Sequence, residues 1–327
     1  MKYFIIGASG FMGRNLSAFL KEQGIAFLTY DRESSLSDLK EGIFGCDVIL
    51  HFAGVMRPKD NSEFYDVTNG LNRDIMEILK NAMHMPLFIF ASSIQATLDN
   101  DYGKSKLLSE NYFVDCQKKY KNFNLRIYRF SNSFGKGGLP NYNSVLSTFC
   151  YNISHNLDVF VRDPNYVVPF IYIDDIIDDV LKRPITSQIE LCSINPVSNC
   201  SLENLKNSIT YFKNAFENGC LPGLNDRFMR NLFLTFLSYN DLKDLIKEGN
   251  TLFSGLDFTP MFIPHLKDER NGYIIKMHGF SGTLSIRDLF NKEYIKNVLN
   301  KDLFVILPPG FEFSANSSIC SFSYFKI

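Results

Sequence analysis

The chain has 327 residues, with 34 Lys and Arg against 35 Asp and Glu and a net charge of −1. At roughly 150 residues per domain there is room for two domains, or for one large domain with an appendage. The balanced charge lacks the basic face of a nucleic-acid binder. No apolar run reaches the ~20 residues that cross a bilayer, and the apolar stretch before Gly7 is too short for a signal peptide. A cytoplasmic protein that binds neither nucleic acid nor membrane is therefore expected.

Short apolar runs alternate with amphipathic stretches from the N-terminus onward. The pattern predicts a strand at Tyr3–Ile6, a helix over Gly10–Gln23, and strands at Ala26–Tyr30 and Val48–Phe52. A helix over Leu71–Met83, a strand at Leu87–Ala91, a helix over Gly103–Tyr120 and a strand at Leu125–Arg129 follow. This repetition implies an α/β fold, a doubly wound parallel sheet with helices on both faces and ligands at the carboxyl ends of its strands. The first turn reads Gly7-Ala8-Ser9-Gly10-Phe11-Met12-Gly13, between the first strand and the first helix. Gly7 allows a sharp turn, Gly10 allows backbone to approach a pyrophosphate, and Gly13 allows the helix to pack close to the sheet. The N–H groups at the helix start, at Phe11 and Met12, suit phosphate oxygens.

The second strand ends at Asp31-Arg32. An acid here favours the ribose hydroxyls of NAD, and an adjacent Arg favours the 2′-phosphate of NADP. Ala53 and Gly54 follow the third strand, where small residues let a dinucleotide lie flat. After the fourth strand, Tyr102 and Lys106 stand four apart at the start of a helix, on one face. A nearby ammonium is expected to lower the Tyr102 pKa, so that the phenol can give its proton to a carbonyl oxygen. Ser93 is the choice for polarising that oxygen, with Ser92 and Thr97 as neighbours able to take the role.

Together these features resemble the extended short-chain dehydrogenase/reductase superfamily. The resemblance implies an NAD(P)-binding Rossmann domain, nicotinamide chemistry on a nucleotide-linked sugar, and Lys106 also holding the nicotinamide ribose. Arg129–Gly135 resembles the segment whose Asn, here Asn132, reaches the substrate diphosphate. Pro169–Asp175 resembles a strand-to-helix passage where an Asp, here Asp174, caps a helix. The Arg frequent just before that strand is replaced by Val168 and Pro169.

A narrower resemblance is carried by Ala53-Gly54-Val55-Met56-Arg57-Pro58, by Ser92–Thr97, and by Pro140-Asn141-Tyr142-Asn143-Ser144-Val145. These strings are similar to CapF-type capsular polysaccharide enzymes, closely to about residue 180 and more loosely through Leu232–Tyr239. Those enzymes join a reductase to a zinc-binding cupin. The reductase uses NADPH on the 4-keto group of a UDP-linked 2-acetamido-2,6-dideoxy-hexulose, and the cupin epimerises C3. The resemblance implies that Arg57, Gln95, Thr97, Asn132, Asn141 and Asn143 contact a UDP-sugar. It implies NADPH as cofactor, with NADH possible.

The remaining chain divides as 1–245 and 246–327, the second part reading as β-rich and cupin-like, with one helical stretch at Leu289–Leu299. Pro308-Pro309-Gly310-Phe311 resembles the cupin turn before a metal-binding His, but Phe313 or its neighbour stands where that His belongs. His265 and His278 are the only two histidines of this tail, and a catalytic zinc site takes about three protein ligands. The seven Cys are odd in number and show no C-x-x-C spacing, which suggests reduced thiols. No metal site is expected, and the tail is expected to serve a homodimer, substrate shaping or core completion. The alternatives are a UDP-sugar 4-epimerase or dehydratase of the same superfamily, and a sensor that binds dinucleotide without chemistry.

Overall fold

The computed structural model describes residues 1–327 apart from 57, 59, 61, 121, 122, 250, 251, 254, 255, 262–264 and 318–320. The chain packs into two compact units. The first comprises Met1–Ser133 and Phe170–Pro196, the second Phe134–Pro169 and Val197–Ile327.

The elements run β1 (Tyr3–Ile6), α1 (Phe11–Glu22), β2 (Phe27–Tyr30), α2 (Leu36–Phe44), β3 (Val48–His51), α3 (Ser62–Leu79) and β4 (Leu87–Ser93). Then come α4 (Asp101–Lys119), β5 (Leu125–Phe130), β6 (Asn132–Phe134), α5 (Val145–Ser154), β7 (Val167–Tyr172), α6 (Ile173–Lys182) and β8 (Ile189–Cys192). The sheet of the first unit has the order β2-β1-β3-β4-β5-β8, and every pairing in it is parallel. β1 and β3 are buried along their whole length, as expected of strands covered on both faces.

One face packs Leu39 and Ile43 of α2, Ile75 and Leu79 of α3 and Phe113 of α4 against Phe4, Ile6, Ile49, Phe88 and Phe90. Elsewhere in the unit, Met12 and Leu16 of α1 meet Phe52 and Ile173, Ile176, Ile177 and Val180 of α6. The strand order reverses between β1 and β3, so the carboxyl ends of these two strands flank the topological switch point, where such sheets bind ligands. The expected doubly wound sheet is therefore present. α2 was not expected; it starts with Ser35 and Asp38 in a reciprocal capping box. Asp174 does not cap α6: the cap position is Tyr172, and Asp174 and Asp175 lie in the first turn. Their charges there complement the positive end of the helix.

In the second unit, β9 (Ser198–Ser201) leads to α7 (Leu202–Glu217) and α8 (Arg227–Leu237), which pack with α5. An antiparallel sheet follows, built from β10 (Ile246–Glu248), β11 (Thr259–Met261), β12 (His265–Lys267), β13 (Tyr273–Arg287), β14 (Glu293–Leu307), β15 (Glu312–Ser317) and β16 (Ser321–Lys326). β13 pairs with β14 on one side. On the other side it changes partner from β16 to β15, around register shifts at Met277/Phe280 and Phe280/Gly282. Such irregularities bend a long strand.

The expected helix over Leu289–Leu299 is instead a turn and the first half of β14. Asp288 accepts hydrogen bonds from the Phe290 and Lys292 N–H groups, and Asn291 takes φ +62°. That closes a hairpin in which Glu293–Val298 pair with Gly282–Arg287. Tyr294, Lys296 and Val298 are partly buried while Ile295, Asn297 and Leu299 are exposed, a period of two rather than of 3.6. Phe313 is fully buried in this sheet, between Leu266 and Ile286.

Candidate active site

Gly7 follows β1 with φ +89°, and a Cβ there would lie 2.6 Å from the Ala53 nitrogen and 2.8 Å from its Cα. Only glycine lets the turns after β1 and β3 touch in this way. A Cβ on Gly13 would strike the backbone of Gly7 and Ala8, so α1 begins against the turn itself. Gly10 is the N-cap of α1, and no side chain caps the helix. Its first N–H groups, from Phe11 onward, and its positive dipole end are thus available to an anion.

The Asp31 carboxylate accepts from the Ser9 N–H at 2.9 Å and from the Ser9 hydroxyl at 2.7 Å. It therefore ties the end of β2 to the glycine turn. A carboxylate has about four acceptor positions, so this bond leaves capacity for ribose hydroxyls. Arg32 is exposed beside it. The glycine cradle, the uncapped helix and Asp31 fit a dinucleotide. Gly7, Gly10, Phe11, Met12, Gly13, Ala53 and Gly54 would hold it.

The carboxyl end of β4 carries the rest of the site. Ser93 caps a short 3-10 turn over Ile94–Thr97, its hydroxyl accepting from the Gln95 N–H at 3.2 Å. Asn100 caps α4 by accepting from the Gly103 N–H at 2.8 Å, which fixes the helix start two residues before Tyr102. The Tyr102 phenol is hydrogen-bonded to Ser93. Lys106 is buried, and its ammonium donates to the Ala91 carbonyl at 3.0 Å. It also lies 5.1 Å from the centre of the Phe90 ring and 5.9 Å from that of Tyr102. Gly54 stands against this ammonium: a Cβ there would be 3.0 Å from Nζ.

The electrostatics differ from expectation at one point. Burial pushes the Tyr102 phenol up to about 12, and the Ser93 hydrogen bond opposes it. The expected lowering by Lys106 does not govern this phenol, because desolvation of a phenolate is the larger effect. Burial also pushes Lys106 down to about 8, opposed by the Glu110 carboxylate. The site thus pairs a tightly held phenolic proton with a cation close to its own titration.

Of the three hydroxyls weighed for the polarising role, Ser93 alone bonds Tyr102 among the described contacts. Ser92 donates instead to Glu110, and Thr97 is exposed and donates to the Ile94 carbonyl at 2.9 Å. The Gln95 side chain is exposed on the same turn, and Asn132 is exposed on β6. Arg57 lies outside the described residues. Asn141 and Asn143 belong to the second unit, in the loop before α5. Asn141 takes φ +55°, and its N–H donates to Thr148 Oγ1 at 2.9 Å.

Two features were not foreseen. Glu110 stands one turn after Lys106, a spacing open to a search for i, i+4 charge pairs. His51, at the end of β3, is buried against Phe88, Phe90 and Phe113, with Nε2 2.9 Å from Asn72 Oδ1. Burial pushes its imidazole down to about 4. No spacing rule joins His51 to Asn72.

The chain is 33% identical to a UDP-2-acetamido-2,6-beta-L-arabino-hexul-4-ose reductase of Pseudomonas aeruginosa over 73% of its length, and it spans 65% of that relative. It is similar in fold to the capsular polysaccharide assembling protein CapF of Staphylococcus aureus. That match has 24% identity and a TM-score of 0.65, and covers 99% of this chain and 95% of the other. It is similar in fold to a UDP-glucose 4-epimerase of Thermus thermophilus complexed with NAD, with 13% identity and a TM-score of 0.61, over 73% of this chain and all but 1% of that one (99% covered). At these identities the two structures speak for the fold alone. The sequence pattern of the NAD dependent epimerase/dehydratase family matches residues 3–182, which contain the glycine turn, Ser93, Tyr102 and Lys106, and the chain belongs to that family.

Proposed function

We propose that the protein reduces the 4-keto group of a UDP-linked 2-acetamido-2,6-dideoxy-hexulose with NADPH, in the making of a bacterial surface polysaccharide. The observation that carries the reading is the Ser93–Tyr102 hydrogen bond with the Lys106 ammonium beside it. The similarity to a P. aeruginosa protein named as such a reductase supports the substrate class.

When bound, the dinucleotide supplies hydride to the ketone carbon. Ser93 holds the ketone oxygen by a hydrogen bond and takes up part of its developing charge. Tyr102 gives its proton to that oxygen. The high phenol pKa keeps the proton in place until the oxygen becomes strongly basic. The Lys106 ammonium stabilises the phenolate left behind, which takes up a proton from solvent before the next turnover.

In this reading residues 1–245 form the reductase and 246–327 an accessory β module, and the protein acts as a cytoplasmic homodimer. Gln95, Thr97 and Asn132, with Arg57, Asn141 and Asn143, are the residues assigned to the sugar nucleotide. C3 epimerisation is not assigned to the tail, because Phe313 occupies a core position where the cupin resemblance calls for a ligand.

The deciding experiment supplies the 4-keto-6-deoxy UDP-sugar with NADPH or NADH in deuterated water and identifies the product by mass spectrometry and NMR. A 4-hydroxy sugar with stoichiometric cofactor oxidation is expected. Interconversion of 4-hydroxy epimers without external cofactor would replace this reading with the epimerase. Solvent deuterium at C3 would overturn the reading of the tail.

A further inference from the structure

We propose that Glu110 is a positioning residue of this site, acting through Lys106 and Ser92 to keep the cation charged and Ser93 aligned with Tyr102. The inference rests on the reductase reading above. Tyr102, Lys106 and Glu110 follow each other at four-residue steps on α4, which makes one stripe along the helix. That stripe grips three consecutive residues at the end of β4. Tyr102 bonds Ser93, Lys106 donates to the Ala91 carbonyl at 3.0 Å, and the Ser92 hydroxyl donates to Glu110. Sliding α4 by one residue would break all three contacts together.

The third contact is built, not incidental. The Glu110 side chain is 5% exposed and is held from β5 by Arg129, at 3.0 and 3.2 Å from Nε and 2.6 Å from Nη2. A carboxylate taken out of water needs partners of this quality. Placed one turn from a buried ammonium, it also acts on that ammonium. Among the described residues, the titratable groups facing Lys106 are Tyr102 and Glu110 on its own helix and His51 on β3; the neighbouring β4 residues, Phe90 and Ala91, do not titrate. His51 is kept neutral by burial. Glu110 is thus the charge that works against the burial of Lys106.

The test follows the alkaline limb of kcat against pH in wild type, Glu110→Gln, Glu110→Asp and the double variant Glu110→Gln/Arg129→Met. Loss of the carboxylate should move the limb toward acid by about one pH unit, the scale of a single nearby charge. Glu110→Asp should bring it back toward the wild-type position. The double variant does not leave the partly exposed Arg129 guanidinium beside a neutral amide, so it covers the case in which Glu110→Gln fails to fold; it should also shift toward acid. A limb that stays in place once the carboxylate is gone, whatever happens to the size of kcat, overturns the proposal. The Lys106 ammonium can also be titrated by 15N NMR, assigned with Lys106→Met, and should show the same shift without turnover. Wild-type protein inactive on the sugar would sink the reductase reading, while this titration would still decide the role of Glu110.

Discussion

The Tyr102 phenol is hydrogen-bonded to Ser93, and burial rather than the nearby Lys106 sets its affinity for its proton. The arrangement favours a proton donor over a standing phenolate. Tyr102→Phe should therefore lower kcat by about 10²- to 10⁴-fold, the usual worth of a positioned acid. Dinucleotide affinity, read from quenching or transfer fluorescence, should change little. Ser93→Ala should also lower kcat, because the oxygen loses a donor where charge develops. Full turnover in Tyr102→Phe would remove the proposed acid.

Cofactor choice turns on two adjacent residues with different surroundings. Asp31 is tied to Ser9, whereas Arg32 is exposed at the end of β2. Arg32→Ala should raise KM for NADPH by about tenfold, the loss of one charge-assisted phosphate contact, and leave KM for NADH nearly unchanged. Asp31→Ala should weaken both cofactors, since it also releases the glycine turn. Equal effects of Arg32→Ala on the two cofactors would deny it the 2′-phosphate.

The parallel half of the fold was legible because strands covered on both faces must be apolar throughout, as in Phe4–Ile6 and Val48–Leu50. The glycine turn and the Tyr102–Lys106 spacing were legible because they are local. What was not legible depends on three-dimensional neighbours. Ser92 and Ser93 are chemically identical in the sequence, and only their partners, Glu110 for Ser92 and Tyr102 for Ser93, separate their roles. The direction of the Tyr102 shift depends on how much water reaches the phenol. The turn at Asp288–Lys292 carries a local signal, Asp288 and Asn291, that the scattered apolar residues of 289–299 obscured.

His51 links the site to acid stability. Its imidazole is fully buried and held near pKa 4, below the ordinary value of about 6.5. The unfolded chain takes up a proton as pH falls through 6.5, and the folded protein does so only near 4. Stability should therefore be level above pH 6.5, fall between 6.5 and 4, and lose no more from this group below 4. The loss amounts to about 3 kcal/mol at one pKa unit per 1.36 kcal/mol. Urea unfolding at several pH values should show this slope, and His51→Gln should flatten it. An unchanged slope in that variant would assign acid sensitivity to other groups.

In the second unit, Lys136 donates to both the carboxylate and the carbonyl oxygen of Glu269, with 2.5 Å to Oε2, and both side chains are 7% exposed. Gly310, at φ +77°, closes over the pair: a Cβ there would lie 2.8 Å from the ammonium and 2.9 Å from Oε2. The bond joins the segment after β6 to the loop before β13, so the antiparallel sheet shares a buried charge pair with the chain that precedes α5. Removing one partner takes from the other its buried counter-charge, although Glu269 keeps the more exposed Lys267 at 3.6 Å. Lys136→Met or Glu269→Gln should each cost about 3–5 kcal/mol. Lys136→Met with Glu269→Leu should recover most of that loss, because desolvation of the pair consumes much of its attraction. A double-mutant cycle by urea unfolding of the full chain measures both. Single variants costing under about 1 kcal/mol would mean the pair behaves as a surface bridge, and that packing around Gly310 alone holds this junction.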